Sequence, residues 1–434
     1  MLSLEVFSEM RQIEINLGKA CDNACVFCAN GRVAPEERGF LSFDSVIREV
    51  DEAAGRGYEA LGFLGGEPTL FPGLEEVVAH AVKRGFRRIS LCTNGRRLAD
   101  TSRLDRLVQA GVTRITLSIH DHRESIEDRI TQRRGSFSQK LQAIKNIVRL
   151  RQGGGYGPDP ERGLTHGFAL NTCLHGGNIT ELPALAQFFK TQGVGEIRFN
   201  LIRPEHQALR SPKLVPPLGW VSRGVQDLVF WNESSGKMTL TVSDVPFCGL
   251  PAAFFQNPTL LSRYMGELRD LETSVTMGLG GGEGRETFSW QERRRENLKA
   301  YARPCNDCPL RHLCEGIWAA YLPIHGTEDL AAGRASLPKD VQGKVTSVLR
   351  PNSTDRAPEE APDQLIRVTK RCNQQCLFCN NNESAPGYVD DLPSALERAR
   401  RIHDAGLREV SFTGGEPTLV PWLREAIQAA AALG

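Results

Sequence analysis

The sequence has almost no net charge, because 53 lysines and arginines face 52 aspartates and glutamates in 434 residues. That balance excludes a global electrostatic attraction to nucleic acid or to a membrane surface. The longest apolar runs fall short of a membrane-spanning helix. The first residues, MLSLEVFSEMRQIEINL, lack the basic head and apolar core of a secretory signal. These absences predict a cytoplasmic protein of two or three domains.

A disulfide scaffold is also disfavoured, although the chain contains 12 cysteines. A chain of this length can bury its own core without disulfide bonds. Most of the cysteines fall in tight clusters with only a few residues between neighbours, a spacing that indicates metal ligands in a reducing compartment. The clusters are Cys21, Cys25 and Cys28, then Cys305, Cys308 and Cys314, and finally Cys372, Cys376 and Cys379.

Predicted strands and helices alternate six times between Arg11 and Pro204. This order demands right-handed crossovers and a parallel sheet, so the fold class is α/β. Each predicted strand ends in polar or glycine residues, and the carboxyl ends of such strands carry the active site of a parallel barrel. Six units instead of eight predict a partial (β/α)6 TIM-like barrel. We interpret the charged stretch DHRESIEDRITQRRGSF as a solvated loop.

The composition changes after the predicted barrel, which we assign to residues 1–210. Residues 211–325 are predicted to hold a barrel-closing helix, a strand from Lys237 to Cys248 and the second cysteine cluster. The glycine-rich stretch from Met277 to Gly284 lacks the Gly-Lys-Ser/Thr of a phosphate-binding loop, so a flexible loop is the interpretation. Residues 326–363 contain a segment rich in proline and acidic residues and are interpreted as a linker.

Residues 364–434 repeat the start of the chain. The third cysteine cluster has the spacing of the first, and the GGEPT of Gly65 to Thr69 recurs at Gly414 to Thr418. The distance between the two motifs differs by only two residues between the copies, which indicates an internal repeat. Two strands and two helices cannot bury the faces of a barrel. We therefore expect the natural product to continue beyond Gly434, and this incomplete module to bind its cluster poorly.

The chemistry of the first cluster follows from its three thiolates. Cysteine thiolates select zinc or iron–sulfur clusters, but structural zinc takes four ligands, and no histidine stands nearby. Three thiolates on a 4Fe–4S cluster leave one iron free to chelate an amine and a carboxylate. Glycines at the next strand end allow close approach of a ligand. Phe27 offers a planar face for an adenine, and Glu67 can take an ammonium.

The CxxxCxxC loop, GGEPT, the TNG after the third strand and the sixfold β/α order resemble the radical S-adenosylmethionine (SAM) superfamily over about residues 11–205 and 364–434. The resemblance implies that Cys21, Cys25 and Cys28 hold a 4Fe–4S cluster that binds SAM. An electron, supplied by a reductase such as flavodoxin or ferredoxin, would cleave SAM to a 5′-deoxyadenosyl radical that abstracts a substrate hydrogen. The implied SAM contacts are Phe27, Gly65, Gly66, Glu67, Ser118 and Asn171, with Gly414, Gly415 and Glu416 in the second copy.

The second cysteine cluster resembles part of the auxiliary-cluster domain, of SPASM or twitch type, that follows many radical SAM barrels. Together with Cys248, the cysteines Cys305, Cys308 and Cys314 could fully ligate one auxiliary 4Fe–4S cluster. A structural zinc ion with the same four thiolate ligands is the alternative.

By family analogy, the leading hypothesis is an enzyme that matures a ribosomally made peptide by radical hydrogen abstraction, an oxidoreductase or lyase type of chemistry. The alternative is an enzyme that makes a cofactor or another small molecule, since the region of strands five and six is similar to the pterin-forming branch. A third hypothesis is a non-catalytic iron–sulfur or zinc protein, against which GGEPT in both copies weighs. The sequence contains no obvious general base and indicates neither a membrane nor a nucleic-acid partner.

Overall fold

The computed structural model describes residues 10–31, 33–34, 37–154, 167–206, 208–268, 270–278, 285–335, 337–338, 341–342, 345, 365–369, 391–404, 410–414 and 416–433. The chain forms two compact units, Met1–Leu349 and Arg350–Gly434. Among the described residues, no helix is both long and apolar enough to cross a membrane.

The first unit is built on a nine-stranded sheet with the order β7-β6-β5-β4-β3-β2-β1-β8-β9. Neighbouring strands from β7 to β8 are parallel, and β9 is antiparallel to β8. The strands are β1 (Gln12–Asn16), β2 (Ala60–Leu64), β3 (Arg88–Thr93), β4 (Arg114–Ser118), β5 (Phe168–Leu174), β6 (Glu196–Leu201), β7 (Thr239–Ser243), β8 (Thr273–Gly278) and β9 (Arg285–Ser289).

Amphipathic helices cover the sheet between its strands. The first of them is typical: Ser42 caps its amino end by accepting from Ser45 N, and Val46, Val50 and Ala53 form its buried face. The helices are α1 (Phe43–Gly55), α2 (Leu74–Lys83), α3 (Thr101–Ala110), α4 (Glu124–Thr131), α5 (Ser136–Gln152), α6 (Leu182–Thr191), α7 (Leu218–Trp231), α8 (Ala253–Gln256), α9 (Pro258–Tyr264), α10 (Trp290–Arg293), α11 (Leu322–His325) and α12 (Glu328–Ala335).

The α/β class is confirmed, and the mostly parallel sheet is typical of a partial barrel. The prediction of six strands is too low, because three further strands extend the sheet at its two ends. β7 is a shorter form of the strand predicted from Lys237, and it pairs with β6. β8 returns from far along the chain to pair with β1, a non-local contact that local sequence periodicity does not reveal. Met277 and Gly278 end β8, and residues 279–284 lie outside the described residues.

The prediction of a solvated loop after β4 is wrong, because that charged stretch contains helix α4. Its Glu127 is fully buried, yet its carboxylate is satisfied on both oxygens. Glu127 Oε2 accepts from His120 N at 2.8 Å and from Asp121 N at 3.0 Å. Glu127 Oε1 accepts from Lys140 Nζ at 2.6 Å. A buried charge is tolerated when it is paired and hydrogen-bonded, and sequence composition alone does not show such pairing.

The region after β9 contains a short antiparallel pair, β10 (Lys299–Ala300) and β11 (Ile317–Trp318), followed by two helices. The second of these, α12, begins inside the segment predicted as a linker. Its Leu330 is buried, and Asp329 Oδ2 accepts from Leu218 N at 3.0 Å, at the start of α7. Residues 346–364 of the predicted linker lie outside the described residues.

The second unit contains the strands Leu365–Thr369 and Ser411–Gly414, which are parallel, and the helices Leu392–Asp404 and Leu423–Ala432. Its small core is formed by Ile366, Val368, Ala395, Ala399, Ile402 and Val420.

Candidate metal centre

The loop after β1 carries Cys21, Cys25 and Cys28, which are free thiols of intermediate burial. The three residues surround one cleft of about 80 Å³, which Gly66 and Asn30 also line. The loop turns tightly, because Cys28 N donates to Cys25 O at 3.2 Å. Three thiols around a shared cleft fit the ligand set that the sequence predicts for an iron–sulfur cluster.

The strand exit at GGEPT crosses the start of this loop with its main chain in direct contact. Gly66 N donates to Gly18 O, and Glu67 N donates to Ala20 O, both at 2.8 Å. A Cβ atom on Gly66 would lie 2.1 Å from Ala20 O. Gly65 adopts a φ of 134°, which disfavours other residues. The glycines therefore let two strand exits touch, and this contact fixes where the cysteines begin.

The Glu67 carboxylate points into the protein and away from the cleft. It is 1% exposed. Its Oε1 accepts from Thr69 N at 3.0 Å and from Thr93 Oγ1 at 2.6 Å, and its Oε2 accepts from Asn94 N at 2.6 Å. Burial raises the pKa of Glu67, while these hydrogen bonds act in the opposite direction. At this corner the main chain of Gly66, and not the Glu67 carboxylate, is therefore left to contact a ligand ammonium. That contact stays a prediction.

The TNG after β3 joins GGEPT to the cysteine loop. Asn94 Nδ2 donates to Asp22 Oδ1 at 2.7 Å and lies 3.9 Å from Cys21 Sγ. Arg96 Nη1 donates to Asp22 O at 2.7 Å, and Arg133 Nε donates to the same oxygen at 2.8 Å. The sequence predicts the position of TNG at the end of the third strand, but it does not predict the contact of Asn94 with the cysteine loop.

Helix α4 supports the other side of the loop. Ala24 N donates to Thr131 O at 3.0 Å, and Val26 N donates to Ile130 O at 2.9 Å, so the last carbonyls of the helix are satisfied by loop amides. The buried Lys140 anchors the same region, since its Nζ donates to Ser118 O at 2.9 Å as well as to Glu127. Lys140 and Glu127 are positioning residues that sequence reasoning missed, because buried charged pairs look like surface charges in a sequence.

Phe27 packs against the rim of the barrel. Its ring meets His120 edge-on at a centroid distance of 4.8 Å, and it is 8% exposed. His120 is itself buried, and its Nδ1 accepts from Cys173 N at 3.2 Å. Burial lowers the pKa of His120, so its ring is neutral and suited to packing. The contact of Phe27 with an adenine stays a prediction.

Ser118 and Asn171 lie opposite each other on the adjacent strands β4 and β5. The Ser118 hydroxyl hydrogen-bonds to the thiol of Cys92, and Asn171 Oδ1 accepts from Asn200 Nδ2. Asn171, Cys92 and Asn200 line a cavity of about 370 Å³ inside the barrel. Ser118 and Asn171 are thus close together at the carboxyl ends of their strands, where the sequence predicts SAM contacts.

Burial raises the pKa of the loop thiols, to about 11 for Cys21 and about 12 for Cys25, and it raises the pKa of Cys28 as well. In the absence of metal these thiols keep their protons at neutral pH. Because the thiolate is the ligand form, binding of a metal cluster must displace those protons.

The structure brings the four predicted auxiliary ligands into one region. The electrostatic influence of Cys314, Cys305 and Cys308 adds to that of burial in raising the pKa of Cys248. Cys248 lies in a short helical turn after β7, and α12 covers it so closely that a Cβ atom on Gly333 would lie 1.9 Å from Cys248 O. Gly316 N donates to Cys314 Sγ at 3.3 Å.

Thiol separation bears on the kind of metal group. Within the described parts of the chain, one set of three or more potential ligand residues has all its ligand atoms within 4.8 Å of one another, and it consists of carboxylates: Asp244, Glu267 and Glu315. Neither cysteine set is that compact. The Zn–S distance of about 2.3 Å places the sulfurs of a tetrahedral zinc site roughly 3.8 Å apart.

In the second unit, Cys372, Cys376, Cys379 and Gly415 lie outside the described residues. Gly414 ends its strand, and Glu416 caps the following turn as Glu67 does. Glu416 Oε1 accepts from Thr418 N at 3.0 Å, but the residue is exposed. The local form of the motif is therefore repeated, while the burial is not.

The fold agrees with that of known proteins. The structure of SuiB from Streptococcus suis bound to S-adenosylmethionine has the same fold, with a TM-score of 0.51, 13% identity, and coverage of 75% of this chain and 77% of that one. Residues 15–154 and 366–434 match the family described as the Radical SAM superfamily. Over these two stretches, which together make up just under half of the chain, the protein is similar to the radical SAM superfamily.

Curated relatives match part of the chain. PqqA peptide cyclase from Granulibacter bethesdensis is 30% identical over 173 residues, which cover 40% of this chain and 42% of that protein. GTP 3′,8-cyclase from Aquifex aeolicus is 28% identical over 202 residues, which cover 45% of this chain and 57% of that protein. The chain spans about half the length of the curated relatives it matches.

The crossing of GGEPT with the loop is testable by replacing Gly66 with alanine. The added methyl group has no room against Ala20 O, so we expect the loop to shift, the protein to lose about 1–3 kcal/mol of stability, and most of the iron of the first cluster to be lost. Thermal unfolding and iron analysis measure both effects. The matched control is Gly195→Ala, where no atom lies within 4 Å of the new Cβ. Full iron content in Gly66→Ala would contradict this account of the corner.

Proposed function

We propose that the first unit binds a 4Fe–4S cluster through Cys21, Cys25 and Cys28 and uses it with SAM in radical hydrogen abstraction. The observation that supports this most is the arrangement of three free thiols around a cleft lined by Gly66. When bound, the cluster supplies one electron to SAM and so gives access to the 5′-deoxyadenosyl radical. The repeated set, Cys372, Cys376 and Cys379, is proposed to bind such a cluster less well.

The residues of the chain then have three tasks. Gly66 and its neighbours hold the cofactor corner through main-chain contacts, and Glu67, Asn94 and Arg96 hold the loop in place. Phe27 closes the barrel rim against His120. The interior cavity accepts the part of the substrate that reacts, in a space shielded from bulk water.

For the substrate we propose a peptide, as in the maturation of ribosomally made peptides, because PqqA peptide cyclase is among the curated relatives of this chain. The alternative is a small molecule of cofactor synthesis, and the GTP-cyclase relative supports it. A short precursor peptide encoded beside this protein would favour the first, and a small-molecule pathway beside it the second.

We further propose that Cys248, Cys305, Cys308 and Cys314 bind one auxiliary 4Fe–4S cluster of SPASM or twitch type. The grouping of these four cysteines in one region, after a barrel of this type, supports the proposal. Glu315, next to Cys314, binds Arg294 at 2.6 Å and Lys299 at 2.9 Å. These two cations also contact Asp244 at the end of β7, which links the auxiliary region to the barrel.

The central claim predicts that anaerobically reconstituted protein, given SAM and dithionite, releases 5′-deoxyadenosine. Cys25→Ala should reduce that product to background, because three thiolates are needed to leave one iron open to SAM. Liquid chromatography of the quenched reaction measures the nucleoside. The wild-type protein giving no product above background, with its cluster present, would refute the proposal.

The auxiliary assignment predicts that the double variant Cys305→Ala, Cys308→Ala loses about four irons relative to the wild type, while it still cleaves SAM. Iron and zinc analysis of the two proteins decides the question. One zinc per wild-type chain that disappears in the variant would establish the zinc alternative instead.

The proposed reductase needs a surface near the cluster. Arg97 and Arg134 are exposed, and Arg97 Nε lies 3.5 Å from Asp22 Oδ2 of the cysteine loop. A groove of about 940 Å³ beside that loop is lined by Arg96, Arg97, Arg103 and Arg133, together with Asp22 and Asp100. Because flavodoxins and ferredoxins are acidic carriers, charge attraction at such a surface would speed their encounter.

This surface predicts that Arg134→Glu slows flavodoxin-driven release of 5′-deoxyadenosine severalfold at low salt, since electrostatic steering raises association rates. The dithionite-driven rate should not change, because dithionite does not dock. Lys83→Glu, at the end of α2, is the matched charge reversal, and both of its rates should equal those of the wild type. Equal flavodoxin-driven rates in Arg134→Glu and the wild type would place the docking surface elsewhere.

A further inference from the structure

Four arginines line the cavity inside the barrel, and three of them have a carboxylate partner. Arg114 Nη2 lies 2.6 Å from Glu196 Oε1. Arg198 is paired with Asp270. Arg294 Nη2 lies 2.6 Å from Glu315 Oε1. The fourth is Arg88, the first residue of β3.

Arg88 differs from the other three because nothing in the described part of the chain neutralises it directly. Its Nε is buried without a hydrogen-bond partner. Burial and the nearby cations Arg114 and Arg198 lower the pKa of Arg88 only to about 10, so the guanidinium is still charged at neutral pH. An unpaired charge inside a protein cavity is costly.

Two carboxylates act on Arg88 from this end of the cavity: that of Glu196, which already pairs with Arg114, and that of Glu14, on β1. The Glu14 side chain lies over Gly62 of β2, where a Cβ atom would lie 2.8 Å from Glu14 Cγ, and its carboxylate accepts from Gln12 Nε2 at 3.2 Å. Burial raises the pKa of Glu14 to about 7, although Arg198 opposes the shift. Near neutral pH this carboxyl group is therefore partly protonated and does not supply a full counter-charge for Arg88.

The position of Arg88 defines what it can bind. It stands at the amino end of β3, whereas Asn171 and Asn200 line the cavity nearer the carboxyl ends of β5 and β6. The cysteine loop follows the carboxyl end of β1. A molecule that enters from the cofactor side therefore reaches Arg88 with the end that lies deepest in the barrel. A guanidinium presents a planar fork of donors that matches a carboxylate or a phosphate.

We propose that Arg88 is the centre of an oxyanion-binding subsite at the floor of the cavity, and that it holds a carboxylate or phosphate group of the substrate. The link to the substrate rests on the proposed function; the binding of the anion does not. The subsite selects substrates with an acidic group at a fixed distance from the reacting carbon. Both a peptide with an acidic side chain and a phosphorylated small molecule contain such a group.

The test is calorimetric titration of the anaerobic full-length protein with inorganic phosphate and, separately, with succinate, at constant ionic strength. Saturable binding of at least one anion is expected. Arg88→Gln should weaken the affinity for the anion about tenfold or more, because the substitution removes a charged hydrogen-bonding partner. The affinity of Arg88→Lys should lie between those of the wild type and Arg88→Gln. Preference for succinate indicates a carboxylate substrate, and preference for phosphate a phosphorylated one.

Glu14→Gln supplies a variant with the opposite expectation. It removes a negative charge from the same cavity, so anion binding should tighten, which a general loss of structure cannot produce. The matched control is Arg223→Gln, an exposed arginine of α7, and it should bind like the wild type. Thermal unfolding checks that each variant is folded.

Three results would overturn the proposal. The first is the absence of saturable anion binding to the wild type, and the second is unchanged anion affinity in Arg88→Gln. The third is weaker anion binding in Glu14→Gln, which would mean that Arg88 serves an internal ion pair with Glu14. Release of 5′-deoxyadenosine by the wild type is measured in parallel. Its absence would count against the proposed function and would leave the result for the anion standing.

Discussion

The buried carboxylate of Glu67 holds the exits of three strands together. It accepts from Thr69 beside it and from Thr93 and Asn94 at the end of β3, and Asn94 in turn holds Asp22 of the cysteine loop. A charged hydrogen bond contributes about 1.5–3 kcal/mol, and a buried carboxylate without donors is strongly destabilising. The donors therefore have to stay in place, and the position of the first cysteine depends on them.

The second copy of GGEPT separates what this motif does locally from what the barrel adds. Glu416 has the backbone form of Glu67 and the same bonds from Thr418, so the sequence Glu-Pro-Thr is enough to form the capped turn. Its carboxylate is exposed, and hydrogen bonds from Thr418 lower the pKa of Glu416, whereas burial raises that of Glu67. The buried hydrogen-bond network around Glu67 therefore depends on tertiary packing, which a short motif cannot encode alone.

The same division explains how far the sequence predicts this structure. The α/β order depends on local patterns, and it was predictable. The glycines at 65 and 66 were assigned to the approach of a ligand, whereas their contact with the cysteine loop is tertiary and was not predicted. The pairing of β8 with β1 joins distant parts of the chain, and α4 depends on a buried Glu127 whose partners come from the turn after β4 and from α5. The sequence alone does not distinguish a buried charged residue from one on the surface.

The barrel separates main-chain contacts at its rim from side-chain contacts in its cavity. At the carboxyl ends of the strands, main-chain atoms and glycines shape the cofactor corner, so most side-chain changes there meet backbone directly, as the contact of Gly66 with Ala20 shows. Inside the barrel, charged side chains such as Glu14, Arg88 and Arg198 line the cavity. A fold with this separation can change what its cavity binds while it keeps the arrangement at its rim, because the first depends on side chains and the second on backbone contacts.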